Sequence, residues 1–192
     1  MNNFLVSKET LNNIETLMVI KDPIIEKEDE PTFAKLLNYE FHNGVIEVDV
    51  HSKLLNNAPE YARGFIGVTF RIDENDETFE GIYIRPTNGS SSNQLRRNRT
   101  TQYFSYPNYK YDKLRLESPG EYESYVDIDI EQWIHMKIEV TNSSASLFIN
   151  NEKNPCLMVN DLKHGENKKG SIGLWADIGT KAYFKNLKII NS

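Results

Sequence analysis

The amino-acid sequence predicts an all-β sandwich or barrel. Apolar residues alternate with polar or small ones in many short segments, which is typical of half-buried antiparallel strands. Turn-forming stretches separate these segments, as in DENDE at 73–77, TNGSSSN at 87–93 and HGENKKG at 164–170. No helical segments alternate with the strands, which argues against a parallel α/β sheet.

The predicted strands extend along most of the chain. They lie at 16–23, 45–52, 64–73, 79–86, 133–140, 144–150, 156–162, 170–177 and 182–190. Leu11, Ile14 and Leu17 recur at every third position, so a short N-terminal helix is the alternative for that segment. The chain shows no linker and no repeat, and its 192 residues fit a single domain over 1–192.

Charge and composition exclude several kinds of partner. The formal net charge of -6 and the pI of about 5.3 give a field that repels phosphate backbones and anionic membranes, so we expect neither nucleic acid nor membrane as a partner. The single Cys156 excludes an internal disulfide and a cysteine-only metal site. The first residues contain no basic segment followed by an apolar run, so a cytoplasmic location is the default expectation.

Three stretches occur in a familiar order: FHNGVIEVDV at 41–50, residues 62–86 and residues 131–189. Their most specific part is a Gly-x-Ile-Gly-Leu-Trp strand at 170–175, followed by an aromatic-aromatic-x-Asn-Leu strand at 183–187. The chain resembles the concanavalin A-like lectin/glucanase group. Within it, the chain is most similar to bacterial domains related to laminin-G modules and to the candidate glycosyl hydrolases called 3-keto-disaccharide hydrolases. The resemblance implies a jelly-roll sandwich of two curved antiparallel sheets, a fold that hosts lectins, hydrolases and interaction modules.

The strand EVDVH at 47–51 carries the candidate catalytic residues. Alternation turns its valines toward the core and places Glu47, Asp49 and His51 on the opposite face. Glycoside hydrolysis uses two carboxyl groups, one as acid and one as nucleophile or base, so Glu47 and Asp49 are candidates if the protein is an enzyme. The resemblance argues against a glucanase site, because the second glutamate of the family-16 glucanase signature is missing. The alternative is an exposed polar strand face.

The next two predicted strands carry further polar candidates. Arg71, Tyr83 and Arg85 each lie opposite the apolar face of their strand. If these strands adjoin EVDVH in a sheet, the polar residues form one surface of the kind that binds sugars through planar hydrogen-bonding groups and aromatic rings. The alternative is cross-strand pairing of the carboxylates with the arginines.

The segment QLRRNRTTQYFSYPNYKY at 94–111 combines arginines with aromatic residues. It lies in the longest interval without a clear strand pattern, so we predict a loop over 88–123 that forms a large insertion over one sheet face. Acidic residues at 112–131 oppose nucleic-acid binding. The arginines are instead predicted to hold carboxylates of the protein or of an acidic sugar, with Arg97 and Tyr106 as ligand-binding candidates.

No metal or cofactor is predicted. Asp73, Asn75 and Glu77 have the spacing of an EF-hand loop, but Thr78 stands where that loop needs glycine, so a hairpin turn is expected. Domains of this fold often hold calcium near the last strand, with an aspartate as one ligand. Lys185 stands at the comparable position, and its positive charge argues against calcium there. The histidines lack zinc-site spacing, and the sequence contains neither a phosphate-binding loop nor a nucleophile elbow.

The sequence therefore predicts a lectin-like carbohydrate-binding protein. The predicted ligand-binding residues are His51, Arg71, Tyr83, Arg85, Arg97 and Tyr106. The first alternative is a glycoside-processing enzyme that uses Glu47 or Asp49. The second is a protein–protein interaction module, which would show a large exposed apolar patch.

Overall fold

The computed structural model describes residues 3–192, which form two antiparallel sheets. The strands are β1 (Phe4–Leu11), β2 (Ile14–Lys21), β3 (Phe33–Lys35), β4 (Gly44–Leu54), β5 (Ile66–Ile72), β6 (Phe79–Ile84), β7 (Thr101–Tyr106), β8 (Glu123–Ser124), β9 (Ile134–Thr141), β10 (Ser144–Ile149), β11 (Leu157–Val159), β12 (Ser171–Ala176) and β13 (Thr180–Asn191). The helices are α1 (Pro86–Gly89), α2 (Gln94–Arg97) and α3 (Tyr111–Glu117). None of these helices is long and apolar enough to cross a membrane.

The two sheets stack as a β-sandwich of the jelly-roll type, which confirms the predicted fold class. Sheet A has the strand order β1-β2-β13-β4-β9-β10-β11, and sheet B has the order β3-β12-β5-β6-β7-β8. The main core lies between their inner faces. It contains Ile46, Val48 and Val50 of β4 together with Ile66 and Val68 of β5, each at most 1% exposed. These residues occupy every second position, as the period-two pattern predicts.

The N-terminal segment forms a hairpin, so the alternative of a short helix is wrong. Leu11 of β1 pairs with Ile14 of β2 across a two-residue turn. Asn12 and Asn13 in that turn have φ of 51° and 65°. Asparagine tolerates this left-handed conformation, and a turn of this kind matches the twist of the strands that it joins.

The predicted loop over 88–123 contains a strand, and this part of the prediction is corrected. Residues 101–106 form β7, which pairs with β6 inside sheet B. Tyr103 and Phe104 are fully buried, on opposite faces of the sheet. Both faces of β7 are covered. Its sequence TQYFSY does not alternate apolar with polar residues, so the period-two pattern of a half-buried strand is not visible. The short helices α1, α2 and α3 lie on either side of β7 along the chain.

The assumption that the EVDVH strand adjoins the next two strands is also wrong. EVDVH belongs to β4, whose neighbours in sheet A are β13 and β9. Strands β5 and β6 pair with each other in sheet B. The chain crosses from one sheet to the other between β4 and β5, so the polar faces of these strands point away from each other on opposite sides of the sandwich.

Strand β5 ends in a bulge that redirects Arg71. Ile72 pairs with Ser171 of β12, and Phe70 pairs with the adjacent Ile172, so Arg71 is an extra residue without a partner on β12. Its φ of 56° is left-handed, as is common at a bulge. The bulge turns the Arg71 side chain into the protein, where it is completely buried.

The guanidinium of Arg71 holds several chain segments together. It donates hydrogen bonds to the backbone oxygens of His42 (2.9 Å), Gly165 (3.1 Å) and Asn142 (2.7 Å) and to Oδ1 of Asn43 (3.0 Å). A buried charge is tolerated when it is hydrogen-bonded in this way. These contacts give Arg71 a structural role at the edge of the sandwich.

Replacing this guanidinium tests that role. We expect Arg71→Met to lower the free energy of unfolding by about 3 kcal/mol, because the buried oxygens lose a charged donor while the volume is mostly kept. Arg97→Met is the control, since Arg97 is half-buried on α2, and its effect should stay within about 0.5 kcal/mol. Urea unfolding measures both, and equal losses in the two variants would contradict the assignment.

Candidate functional site

A cavity of about 230 Å³ lies at one end of the outer face of sheet B. Five arginines line it: Arg63, Arg85, Arg96, Arg99 and Arg115. Its other lining residues are the aromatic Tyr61, Phe65, Tyr83 and Tyr111 and the polar Glu28, Asn88 and Asp177. The cavity is therefore walled by rings and guanidinium groups.

The ends of three strands bring the base of the cavity together. Tyr83 of β6 pairs with Gly67 of β5, and Gly67 pairs with Trp175 of β12. Because these strands are antiparallel, Phe65 just before β5 and Asp177 just after β12 lie at the same end of the sheet as Tyr83. The remaining cavity residues come from α1, α2, α3, the segments at 22–32 and 55–65, and two connections: Arg85 lies between β6 and α1, and Arg99 lies between α2 and β7.

The outer face of sheet B is itself an aromatic core. A second buried cluster there includes Phe79, Tyr83, Phe104 and Trp175. Residues 22–32, which we call the cover, lie against it, and Glu30 of this segment is hydrogen-bonded to Trp175 and Tyr106. Trp175 Nε1 donates a hydrogen bond of 2.9 Å to the backbone oxygen of Glu30 in that segment. Tyr83 packs against Trp175 with ring centroids 4.8 Å apart. The cavity opens where this cover ends.

One carboxylate holds three of the cavity's arginines. Glu123 of β8 accepts hydrogen bonds from Arg115 and, at 3.4 Å, from Arg85, and its Oε2 lies 3.6 Å from Arg99 Nε. Burial lowers the pKa of Arg115, but the hydrogen bond to Glu123 and the negative charge of Glu123, with smaller contributions from Tyr83 and Tyr111, together raise that pKa above its ordinary value. For Arg99, burial and then the charges of Arg115 and Arg85 lower the pKa. Three guanidinium groups thus share a single negative charge.

The other two arginines are held by neutral oxygens. Arg96 Nε donates to Asn88 Oδ1 at 2.9 Å, and its Nη2 donates to the backbone and hydroxyl oxygens of Thr87 at 3.1 Å. Arg63 Nη1 donates to the backbone oxygen of Glu60 at 2.6 Å. Burial lowers the pKa of Arg63, and the positive charge of Arg96 lowers it further. Among residues 3–192, the ion pairs of the cavity's arginines involve Arg85, Arg99 and Arg115, so no carboxylate in contact neutralises the positive charge of Arg63 or Arg96.

Two buried aspartates, Asp29 and Asp177, hold residues 22–32 in place at the base of the cavity. Asp177 forms an ion pair with Lys21 and accepts a hydrogen bond of 2.9 Å from the backbone N–H of Asp29. Oδ2 of Asp29 accepts one of 2.7 Å from the Tyr111 N–H, while its Oδ1 has no partner among residues 3–192. Burial, and then the charge of Asp177, raise the pKa of Asp29 to about 7. Asp29 therefore titrates near neutral pH.

Tyr83 and Arg85 are the two predicted site residues that line the cavity. Arg85 Nη2 donates to the Tyr83 hydroxyl oxygen at 2.9 Å and to Gln102 Oε1 at 3.0 Å. Burial raises the pKa of Tyr83 well above its ordinary value, so its hydroxyl remains a neutral hydrogen-bonding group. Both residues are at most 5% exposed.

Arg97 and Tyr106 lie outside the cavity lining. Arg97 Nη1 donates to the backbone oxygens of Ser91 at 2.7 Å and of Ser92 at 3.1 Å. Tyr106 stacks on Phe79 with centroids 5.0 Å apart, and its hydroxyl donates to Oε2 of Glu30 at 3.3 Å. Their observed contacts are with the protein itself, as are those of Arg71.

Glu47 and Asp49 lie on the outer face of sheet A, across the sandwich from the cavity. Asp49 Oδ1 makes a hydrogen bond of 2.7 Å with His135 Nδ1, and its Oδ2 accepts one of 2.7 Å from Asn186. Glu47 Oε2 lies 3.7 Å from Lys188 Nζ. The two carboxylates thus interact with residues of β9 and β13, and the alternative that they pair with Arg71 or Arg85 is wrong because those arginines belong to the other sheet.

His51 is buried on the same face of sheet A. Its side chain packs against Trp133 and Tyr183, with ring centroids 5.3 and 5.9 Å away, and the residue is 3% exposed. Burial lowers its pKa. His51 is thus separated from Tyr83 and Arg85 by the full thickness of the sandwich.

Several cavity residues did not emerge from the sequence as site candidates. Arg63, Tyr111 and Arg115 come from segments that meet only through tertiary packing, so local patterns carry no signal for them. Asp177 could have been found from the sequence. It follows Gly173 and Trp175 at two-residue intervals, so strand alternation places all three on the same face of the sheet.

A sequence model of the 3-keto-alpha-glucoside-1,2-lyase-like domain matches residues 6–190. No curated protein matches the chain in sequence. The resemblance to 3-keto-disaccharide hydrolases that the sequence motifs indicate is therefore confirmed over most of the chain.

Solved structures support the same architecture. The chain is similar to carbohydrate-binding module CBM66 from Bacillus subtilis, with 12% identity, a TM-score of 0.57 and coverage of 97% of this chain and 94% of the module. A candidate glycosyl hydrolase from Parabacteroides distasonis has 14% identity, a TM-score of 0.57 and coverage of 99% and 94%. Domain 4 of the extracellular arabinanase AbnA from Geobacillus stearothermophilus, solved with arabinotriose, has 13% identity, a TM-score of 0.50 and coverage of 96% and 74%. At these identities the likeness shows the fold alone.

Asp29 gives the protein a specific pH dependence. The folded protein keeps a proton on Asp29 that the unfolded chain releases above the ordinary pKa of 3.8, so this residue should make the free energy of unfolding fall as the pH rises from about 4 to about 7. Asn cannot titrate and also tolerates the φ of 55° at this position. We therefore expect Asp29→Asn to gain stability relative to wild type as the pH rises through this window.

Urea unfolding at several pH values between about 4 and 8 measures this dependence. The control is Asp127→Asn, an exposed position, which should follow the wild-type curve. An Asp29→Asn effect that is the same at both ends of the window would show that Asp29 is not protonated in the folded protein.

Proposed function

Since the chain belongs to the 3-keto-alpha-glucoside-1,2-lyase-like domain family, we propose that it binds carbohydrate in the cavity at the end of sheet B. One observation carries this proposal: aromatic rings and multiple guanidinium donors surround the same small space. Sugars present hydroxyl groups that require hydrogen-bond partners and C–H faces that pack on aromatic rings, so a sugar site needs both kinds of group.

The cavity supplies the groups for each part of a sugar. Arg99 and Arg63 can donate hydrogen bonds to hydroxyl oxygens, and Glu28 can accept hydrogen bonds from hydroxyl groups. Tyr61 is 50% exposed and offers a ring where the cavity meets solvent. Tyr111 is half-buried and provides a second aromatic wall.

The size of the cavity limits the ligand. Its 230 Å³ is below the roughly 300–1,000 Å³ of pockets that hold drug-sized ligands. One sugar ring suits this space, with any further rings of a chain extending outward past Tyr61.

The related structures add support at the level of the fold. One similar structure is described as a carbohydrate-binding module, and another was solved with a bound trisaccharide. They support carbohydrate as the ligand class, while the residues proposed here rest on the cavity of this chain.

The exposed tyrosine of the cavity provides a direct test. We expect Tyr61→Ala to weaken binding of a glycan found in an array screen by about five- to tenfold, because the sugar loses an aromatic contact of roughly 1 kcal/mol. Tyr125→Ala is the matched control, since Tyr125 is 48% exposed and does not line the cavity. Calorimetry compares the variants, and equal affinities for Tyr61→Ala and wild type would place the sugar elsewhere.

A glycoside-processing enzyme is the second candidate function, and one observation favours a particular residue. Glu28 lines the cavity, and its carboxylate makes no hydrogen bond or ion pair with other residues among 3–192. An unengaged carboxylate beside a bound sugar can act as a general acid or base. Asp49, by contrast, has both oxygens engaged by His135 and Asn186.

Turnover assays distinguish the two catalytic hypotheses. If the protein is an enzyme, wild type should cleave a 3-keto-α-glucoside, and Glu28→Gln should lower the rate by about hundredfold or more. Glu47→Gln and Asp49→Asn should stay within about twofold of wild type, because both residues lie on the outer face of the other sheet. Loss of turnover in those two variants alone would restore β4 as the catalytic strand, and an inactive wild type would remove the enzymatic candidate.

The interaction-module alternative has less support. Exposed large apolar side chains occur on separated elements, such as Leu5 on β1 and Met158 on β11, which are the opposite edges of sheet A. These two side chains therefore do not belong to one patch of the kind that such a module would show.

A further inference from the structure

We infer that the sugar bound in this cavity carries an anionic group, a carboxylate, sulfate or phosphate, held by the cavity's arginines. The inference rests on the proposed function and adds the chemical class of the ligand. Arg99 and Arg63 are its main contacts, and Arg96 and Arg115 complete the positive wall.

The charge of the cavity is opposite to that of the protein. The chain as a whole has a formal net charge of -6, yet five arginines line this one space against the carboxylates of Glu28 and Asp177. Asp177 is already neutralised by its ion pair with Lys21. An acidic protein that concentrates positive charge in one cavity has a local site for an anion, since electrostatic attraction at short range is set by the nearest charges.

The protein's own carboxylates do not satisfy these arginines. Glu123 is shared by Arg85, Arg99 and Arg115. Within residues 3–192 the Arg99 side chain donates no hydrogen bond, its nearest carboxylate oxygen is 3.6 Å away, and its side chain is 31% exposed. Its guanidinium is therefore available to a ligand.

Mutual repulsion among the arginines points to the same conclusion. Burial and then the neighbouring positive charges lower the pKa of both Arg63 and Arg99. Packing like charges together is unfavourable in the free protein, and a bound anion would relieve that repulsion. Arginine also suits oxyanions in particular, because its planar fork of donors matches two oxygens of a carboxylate, sulfate or phosphate.

The aromatic walls indicate that the anion is part of a sugar. A free inorganic ion would make no use of Tyr61, Phe65 and Tyr111, which line the same cavity. A polyanion such as nucleic acid is disfavoured by the size of the cavity and by the net negative charge of the rest of the protein.

The test compares sugars that differ only in charge. NMR titrations would use glucose, glucuronate, glucose 6-sulfate and glucose 6-phosphate, the corresponding galactose series, and inorganic sulfate and phosphate. We expect at least one anionic sugar to bind at least about tenfold more tightly than its neutral counterpart. Its affinity should fall as NaCl is raised from about 50 mM to about 500 mM, because salt screens the attraction.

Arginine variants then locate the anion. Arg99→Gln should weaken binding of the anionic sugar by about tenfold and binding of the neutral sugar by no more than about twofold, because glutamine keeps an N–H donor for a hydroxyl group and loses the positive charge that the anion needs. Arg99→Lys should have an intermediate effect, since it keeps the charge and loses the fork. The matched control is Arg97→Gln, two positions earlier and outside the cavity lining, which should bind both sugars as wild type does.

Each result has a distinct meaning. A preference for the carboxylate, sulfate or phosphate supports the inference and identifies the group. Equal affinities for neutral and anionic sugars would overturn it and leave the proposed carbohydrate function standing. Binding of inorganic sulfate or phosphate without binding of any sugar would overturn both, as would the absence of binding by every sugar and ion in the panel.

Discussion

Sheet B is buried on both faces, and this constraint determines where a ligand can reach it. The main core covers its inner face, and the cluster of Phe79, Phe104 and Trp175 under residues 22–32 covers its outer face. A sheet covered in this way leaves only its ends and its edge strands open to solvent. The cavity lies at such an end, where backbone turns and short helices bring long polar side chains over the last residues of the strands.

The cover over sheet B is held by charge as well as by packing. Lys21, Asp177 and Asp29 connect the end of β2, the end of β12 and the covering segment, and Asp29 also accepts a hydrogen bond from Tyr111 at the start of α3. The walls of the cavity therefore depend on a buried polar network. The hydrogen bond from Tyr111 to Asp29 joins the start of α3 to the segment that carries Glu28, which keeps both residues beside the arginines.

Strands in which apolar and polar residues alternate could be predicted from the sequence. Strands without this alternation could not. β4, β9 and β10 have one face in the main core and one more exposed face, so apolar and polar residues alternate visibly along their sequences. β7 was interpreted as a loop because its sequence TQYFSY does not alternate apolar with polar residues, whereas β5 and β6 do alternate although they too are covered on both sides. Which strands are neighbours depends on long-range pairing that a local pattern does not encode, so Glu47 was grouped with Arg85 although they lie on opposite sheets. Within the arginine-rich segment, Arg97 was selected, whereas Arg99, two residues later, lines the cavity.

The bulge at Arg71 has a wider effect on the sandwich. Phe70 belongs to the main core, and Ile72, two residues later, belongs to the outer cluster of sheet B. In an unbroken strand both would face the same way. The extra residue shifts the phase at the end of β5, so Ile72 packs in the outer cluster and not in the main core. Pairing of Arg71 as an ordinary strand residue would therefore return Ile72 to the inner face and remove an apolar side chain from the outer cluster.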